Sequence, residues 1–346
     1  MPSYAELLEQ LHMPPPKLRA RMYEAHRALA PDRDLLVYAM GMPNPIPGIP
    51  QVLASIQPDD VQMFMGALTG LHSDKLDLIL HSGGGSSEAA EQIVNYLRAK
   101  YKNIRVFVPL RAMSAATMIS CAADVIVMGR ESAIGPTDPQ INLPNSISVP
   151  AQAILDDYKK AKEEIAQNPT NAALWGPKFN ALPHGFLSYC QSTIDRSKKL
   201  VCRWLHIYMG LEEEKADEIS TWLATGTEHL SHGRPISFEQ ARDKGLKVEL
   251  LEDHQELQDA ILSIFHSVIL TFQHTNIVKI VENHNAKGVQ VQVQVNIAVA
   301  PPGVPVVPQP RHTPQPPAET PPPGLSDLTD CPPVLPQTLV VKIENK

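Results

Sequence analysis

The sequence predicts an α/β protein in which a mainly parallel sheet is followed by a helical C-terminal half and a disordered, proline-rich tail. Three observations predict it. Apolar runs of strand length recur at 76–82, 104–110 and 124–129, separated by helical patterns and short loops. That order gives a parallel sheet with right-handed crossovers. After Pro150 the texture becomes helical, and many of the 33 prolines sit beyond Ala300, too dense for an ordinary domain.

Taken in order, residues 1–33 read as an amphipathic helical leader broken by Pro14, Pro15 and Pro16. LLVYAMGM (35–42) has strand length and ends in the loop PNPIPGIP. In SIQPDDVQMFMGALTGL, Pro58, Asp59 and Asp60 suit a first helical turn, and Val61, Phe64, Met65 and Leu68 share one face. LDLILHS (76–82) has the unbroken apolar character of a strand covered on both faces. Ser86 or Ser87 caps the next helix, whose stripe is Ala89, Ile93, Tyr96 and Leu97. IRVFVPL, the helix SAATMISCAA and DVIVMG follow.

Helical patterns cover AQAILDDYKKAKEEIAQ, GFLSYCQSTIDRSKKLVCRWLHIYMG and KADEISTWLATG; SFEQARDKG reads as a capped helix and KVELL as a last strand. A buried helix is expected at 253–273. VQVQVQVNIAV (289–299) alternates strictly and reads as an exposed or edge strand that an extended peptide or, by preference, a neighbouring subunit would pair with. The boundaries are a leader (1–33), a main domain (34–300) and the tail (301–346). LVVKIE (339–344) could form a short terminal element, and the tail could dock a partner protein or a membrane surface as polyproline II.

Composition narrows the function. The chain is 43% hydrophobic and 19% charged, as in soluble globular proteins, and its net charge of -7 argues against a nucleic-acid-binding surface. The four cysteines show no metal spacing and no CxxC, so neither a metal site nor a disulfide framework is expected, and a reducing, cytoplasmic setting fits. The first twenty residues carry no apolar stretch of a secretory signal, and no run reaches the roughly 18 apolar residues of a membrane span. GxxxxGK[ST] does not occur, and nothing calls for a cofactor.

Chemistry concentrates between Leu76 and Ile141. Ser114 follows a strand and opens a helix, where free N–H groups point outwards, and the small residues Ala115 and Ala116 let a carbonyl approach. The SGGG turn (82–85) ends the neighbouring strand, can adopt positive φ and can present amide N–H groups as an oxyanion hole. A serine N-cap and a glycine turn have the same spelling, so spacing leaves both readings open. Asp138, in GPTDPQ, reads as a turn or cap residue, His229 and His232 as a surface loop, and Glu88 and Glu91 as a solvated first turn.

The residues His81–Gly85, Ala112–Met118, Asp124–Met128 and Ser132–Ile141 resemble the serine dehydrogenase proteinase family. That family is related to the Clp protease proteolytic subunit, signal peptide peptidase A and the crotonases. The resemblance spans roughly residues 35–290. It implies a ClpP/crotonase-like spiral of ββα units, a homo-oligomer, and hydrolysis of a peptide or protein substrate by a serine nucleophile. Ser114 matches the nucleophile, and Gly84 and Gly85 match the oxyanion glycines, with Ala115 beside them. Ser82-Gly83 and Ala116 depart from the Pro-Gly and Gly common in relatives.

A serine nucleophile needs a base. IGPTDP holds no histidine where the Clp pattern places one, which favours a Ser-Lys dyad. Lys178, in ALWGPKFNALPHG, lies in apolar company that would desolvate it and is the expected base. His184 and Lys199 are the alternatives. Two other functions compete: a catalytically weak or inactive assembly protein of the same fold, and a crotonase-like enzyme acting on acyl-CoA, which would need paired carboxylates.

Overall fold

The computed structural model describes residues 15–41, 51–143, 147–294 and 340–345. The described residues begin with α1 (Pro15–Leu29), β1 (Asp34–Met40), α2 (Asp60–Ala67), β2 (Lys75–His81), α3 (Ser87–Lys100) and β3 (Asn103–Val108). A short β4 (Arg111–Ala112) leads into α4 (Ala115–Cys121), β5 (Val125–Met128), β6 (Ala133–Ile134) and the hairpin β7 (Gln140–Leu143) and β8 (Ile147–Pro150). Five helices follow: α5 (Ala151–Gln167), α6 (Ala172–Asn180), α7 (Phe186–Ile207), α8 (Glu213–Ala224) and the single turn α9 (Gly226–His229). The last elements are α10 (Phe238–Lys244), β9 (Val248–Leu250), α11 (Gln255–His274), β10 (Ile277–Asn283), β11 (Gly288–Gln294) and β12 (Val340–Asn345).

The main sheet has the order β12-β11-β10-β1-β2-β3-β5-β9. Its β1-β2-β3-β5-β9 half is parallel, while β10, β11 and β12 add antiparallel beyond β1. Every residue of β1 is buried, because both faces are covered. Leu36, Tyr38 and Met40 face a core shared with α2, α3, α4, α7 and α8. The alternate residues Leu35, Val37 and Ala39 face α1 and α11. Local chemistry sets the helix ends. Ser86 accepts from Ala89 N–H at 3.1 Å, and Ser237 forms a capping box with Gln240 on α10, which stops at Gly245 with φ 103°.

Residues 15–29, within the stretch read as a leader, pack on α11 and send charged groups into the interior. Fully buried Arg19 pairs with Glu282 at 2.7 Å, and His26 Nε2 lies 2.8 Å from Asp77 Oδ2. Burial opposes ionisation of Asp77, but hydrogen bonds from Arg105 and His26 hold its carboxyl down at about 2.

The alternating strand needs a correction. β11 is not an edge among the described residues: it pairs with β10 on one side and with β12 of its own chain on the other. Val289, Val291 and Val293 are buried, and so is Gln290, which donates to Glu282. The tail between 295 and 339 lies outside the described residues. The apolar stretch 260–272 is a buried helix, α11, as expected, and no helix among the described residues is long and apolar enough to cross a membrane.

Acid sensitivity follows from three histidines. Burial, with the charge of Arg111 added, drives His81 down to about 4, and burial also lowers His266 and His284. A folded-state value below the unfolded one means stability that is full above about 6.5 and is lost as pH falls through about 4. Calorimetric Tm is therefore expected to be level near neutrality and to fall between pH 6.5 and 4, with a flatter curve for His81→Gln.

Candidate active site

Ser114 sits at the N-terminus of α4, between β4 and a helix whose residues are all buried. Its backbone has φ 54° and ψ -118°, and its side chain makes no capping hydrogen bond. A capping serine is extended and bonds its own helix; this one has positive φ with ψ outside the left-handed helical region, and its hydroxyl makes no capping bond. Such strain in a non-glycine residue costs about 1–3 kcal/mol and persists only where surroundings impose it. They do: Met113 N–H donates to Ser82 carbonyl at 2.9 Å, and the Thr117 hydroxyl donates to Ala112 carbonyl at 2.7 Å while accepting from Gly135 N–H at 2.9 Å.

The glycine turn packs directly on this residue. Gly84 has φ +104°, and a Cβ there would lie 2.7 Å from Ser114 Cβ. Gly85 has φ +150°, and a Cβ there would lie 2.3 Å from Ile56 O. Ile56 and Gly85 form a parallel bridge: Ile56 N–H donates to Gly84 O at 2.8 Å and Ser86 N–H donates to Ile56 O at 2.9 Å. Because backbone groups alternate along an extended chain, Gly85 N–H points away from Ile56. Ala115 N–H belongs to the first helical turn, which has no intrahelical acceptor. The Gly84 N–H is spent, since it donates to Ser82 Oγ at 3.1 Å. This corrects the expectation for Gly84: it gives close approach to Ser114 rather than a donor.

A cleft of about 530 Å³ opens here, and Gly84, Gly85, Ser114, Ala115, Gln140 and His232 all line it. His232 Nδ1 lies 2.7 Å from Asp138 Oδ1, and Gln140 Nε2 donates to Asp138 Oδ2, also at 2.7 Å. Asp138 is 2% exposed. Gly226, at the start of α9, lets the chain pass close to it: a Cβ there would lie 3.1 Å from Oδ2. Asp138 is thus neither a plain turn residue nor a helix cap, and His232 does not sit in a free surface loop. His229 points elsewhere, with Nε2 2.8 Å from Trp222 O. No group of residues able to hold a metal occurs among the described residues.

The expected bases are not brought to the serine. Lys178 lies on α6, not in a loop, and does not line the cleft. Its ammonium pairs with Asp157 at 2.5 Å, its side chain is 53% exposed, and it lies 5.1 Å from the Trp175 ring centre. The apolar neighbours that suggested desolvation do not enclose the ammonium: Trp175 donates to Glu164 and stacks on Phe179, and the lysine stays exposed beside its ring. His184 is exposed ahead of α7, and Lys199 is exposed on α7. Glu88 and Glu91 are not simply solvated either: both pair with Arg196, fastening α7 to α3 beside the cleft. The residues missed from sequence are His232 and Asp138 as a pair. The signals available were the histidines of EHLSHG and the aspartate of GPTDPQ, 94 positions apart.

A strained serine at a buried helix start, a glycine turn packed against it and an aspartate-held histidine lining the same cleft are the kinds of group a serine acyl-transfer site uses. The chain belongs to the ClpP-like SDH-type serine proteinase family, whose sequence profile matches residues 45–259. The fold is accordingly the ClpP-like one, a mixed α/β structure with a mostly parallel sheet and a helical C-terminal half.

Two uncharacterised proteins of Methanocaldococcus jannaschii are similar. One is 32% identical over 203 residues (58% of this chain, 63% of the relative), the other 28% over 200 residues (55% and 61%). The chain thus matches less than two thirds of the length of these relatives. Among solved structures, the chain is similar to a serine-to-alanine variant of the 1510-N membrane-bound stomatin-specific protease, with 16% identity, TM-score 0.33, and coverage of 60% of this chain and 79% of that one. It is also similar to a lysine-to-alanine variant of that protease in complex with a substrate peptide, with 17% identity, TM-score 0.35, and coverage of 60% and 75%.

Proposed function

We propose that this chain is a serine peptidase with Ser114 as nucleophile, His232 as base and Asp138 as the group that orients the imidazole. The observation that carries the reading is that His232, whose Nδ1 lies 2.7 Å from the buried Asp138 carboxylate, lines the same cleft as Ser114. A carboxylate there holds the proton on Nδ1 and leaves Nε2 with a lone pair for the serine. Ser114 Oγ attacks the scissile carbonyl carbon as His232 Nε2 takes its proton, and the new oxyanion accepts hydrogen bonds from Gly85 and Ala115 N–H. Collapse breaks the C–N bond, and His232 returns the proton to the leaving amine. Water then attacks the acyl-enzyme with His232 again as base, which releases the acid and restores Ser114.

Lys178 has no part in this scheme, because its charge is already held by Asp157 at the surface. Peptide or unfolded protein is the substrate class, and a cytoplasmic homo-oligomer is the expected working form. The test is hydrolysis of a fluorogenic denatured protein by the full chain. Ser114→Ala is expected to lower turnover by at least about 10³-fold with an unchanged circular dichroism spectrum. A variant that keeps the parent's rate would overturn the reading.

A further inference from the structure

The backbone that braces Gly85 is itself held from beneath by a buried ionic cluster outside the cleft. Asp60 opens α2, and its carboxylate accepts from three directions. Lys279 Nζ, on β10, donates at 2.6 Å, the Tyr38 hydroxyl on β1 donates to the other oxygen, and Gln57 N–H donates at 3.0 Å. Asp60 and Lys279 are each 2% exposed, and Tyr38 is fully buried. Burial lowers the Lys279 ammonium against the opposing pull of Asp60, and burial with the Asp60 charge raises the Tyr38 hydroxyl, which keeps it a donor. A buried charge pair of this kind adds little stability over an apolar trio of the same volume, while removal of one partner is strongly destabilising. What the cluster does supply is a fixed direction for the Asp60 carboxylate.

That direction reaches the cleft in two steps. Gln57 N–H, the cluster's third donor, belongs to the peptide that begins at Ile56. Ile56 is locked to the glycine turn through both hydrogen bonds of its bridge, and a Cβ on Gly85 would meet Ile56 O, N and Cα at 2.3, 2.4 and 2.9 Å. The Ile56 peptide can therefore shift neither towards nor away from Gly85 without breaking a contact. Oxyanion donors act only when they lie about 2.7–3.1 Å from the developing charge, so an error of a few tenths of an ångström at Gly85 N–H matters.

We infer that Lys279, Asp60 and Tyr38 are positioning residues for the oxyanion hole, acting through the backbone of Gln57 and Ile56 on Gly85. The inference rests on Gly85 being an oxyanion donor, as in the proposed function. Tyr38→Phe removes one of the three contacts without opening a cavity, and Asp60→Asn removes the charge that Lys279 faces. The expected result is a kcat lower by about tenfold in Tyr38→Phe and about a hundredfold in Asp60→Asn, with KM within about threefold of the parent. Lys279→Arg is expected to retain more kcat than Lys279→Met.

Hydrogen exchange gives a second readout that needs no turnover. The Ile56 and Ser86 amides, which hold the bridge, are expected to exchange at least about tenfold faster in Tyr38→Phe, with the central amides of α11 unchanged. A folded Tyr38→Phe with the parent's kcat, or with unchanged exchange at 56 and 86, would overturn the inference. If Asp60→Asn does not fold, Tyr38→Phe and the Lys279→Arg comparison decide it. A parent protein without turnover would overturn the peptidase reading, and faster exchange would then establish the bracing alone.

Discussion

His232→Ala is expected to lower kcat by about 10⁴-fold, and Asp138→Asn by a similar factor, whereas Lys178→Ala stays within about twofold of the parent. The first two act on one device. Without the imidazole, the Ser114 hydroxyl has no acceptor for its proton and attacks as a neutral alcohol. With an amide at 138, the side chain 2.7 Å from His232 Nδ1 can donate rather than accept, which favours the tautomer that blocks Nε2. Asp138 also accepts from Gln140, so its carboxylate is held from both oxygens and loss of charge is not repaired by rotation. Lys178 is the control because its ammonium already has a surface partner in Asp157. Steady-state kinetics on one peptide substrate, with circular dichroism as the folding check, measures all three.

Gly85→Ala is expected to destabilise the chain by about 3 kcal/mol or more and to abolish activity. Two effects combine. The backbone sits at φ +150°, which an L side chain rarely adopts, and the added methyl would lie 2.3 Å from Ile56 O and 2.4 Å from Ile56 N. Both are backbone atoms and cannot swing aside as a flexible side chain would. The bridge to residue 56 must then open, carrying Gly85 N–H out of place. Gly176→Ala is the matched control: Gly176 lies within α6 and nothing comes within 4 Å of its added Cβ. A helical Gly→Ala change with free space is expected to stabilise by about 0.5–1 kcal/mol. Urea unfolding of the two variants beside the parent gives the comparison.

The parts of the fold set by local pattern were legible in the sequence. β2, β3 and β5 were marked by apolar runs and punctuating turns, and the helix start at Ser86 and the capped α10 were marked by their capping residues. The glycine turn and Ser114 could be placed side by side because adjacent parallel strands carry them. The Asp138–His232 pair depends on where α5 to α9 return to the cleft, which no local pattern encodes. Trp, Pro and Phe near Lys178 suggest burial, whereas Trp175 and Phe179 contact Glu164 and Tyr158 of α5 and the lysine side chain stays half exposed, paired with Asp157. The valines of β11 suggested an edge because its partner, β12, lies at the far end of the chain. Gly84 and Gly85 look equivalent in the sequence, and the bond from Gly84 N–H to the Ser82 hydroxyl and the bridge of Gly85 to Ile56 separate them.

Ser114 as an activated nucleophile beside a formed oxyanion hole is the proposal on which the other roles depend. The most direct measurement is peptide mapping by mass spectrometry after the full chain reacts with a fluorophosphonate, which needs both the nucleophile and the hole. One adduct is expected, on Ser114, lost in His232→Ala and kept in Lys178→Ala. An unmodified Ser114, or an adduct that depends on Lys178 rather than His232, would contradict it.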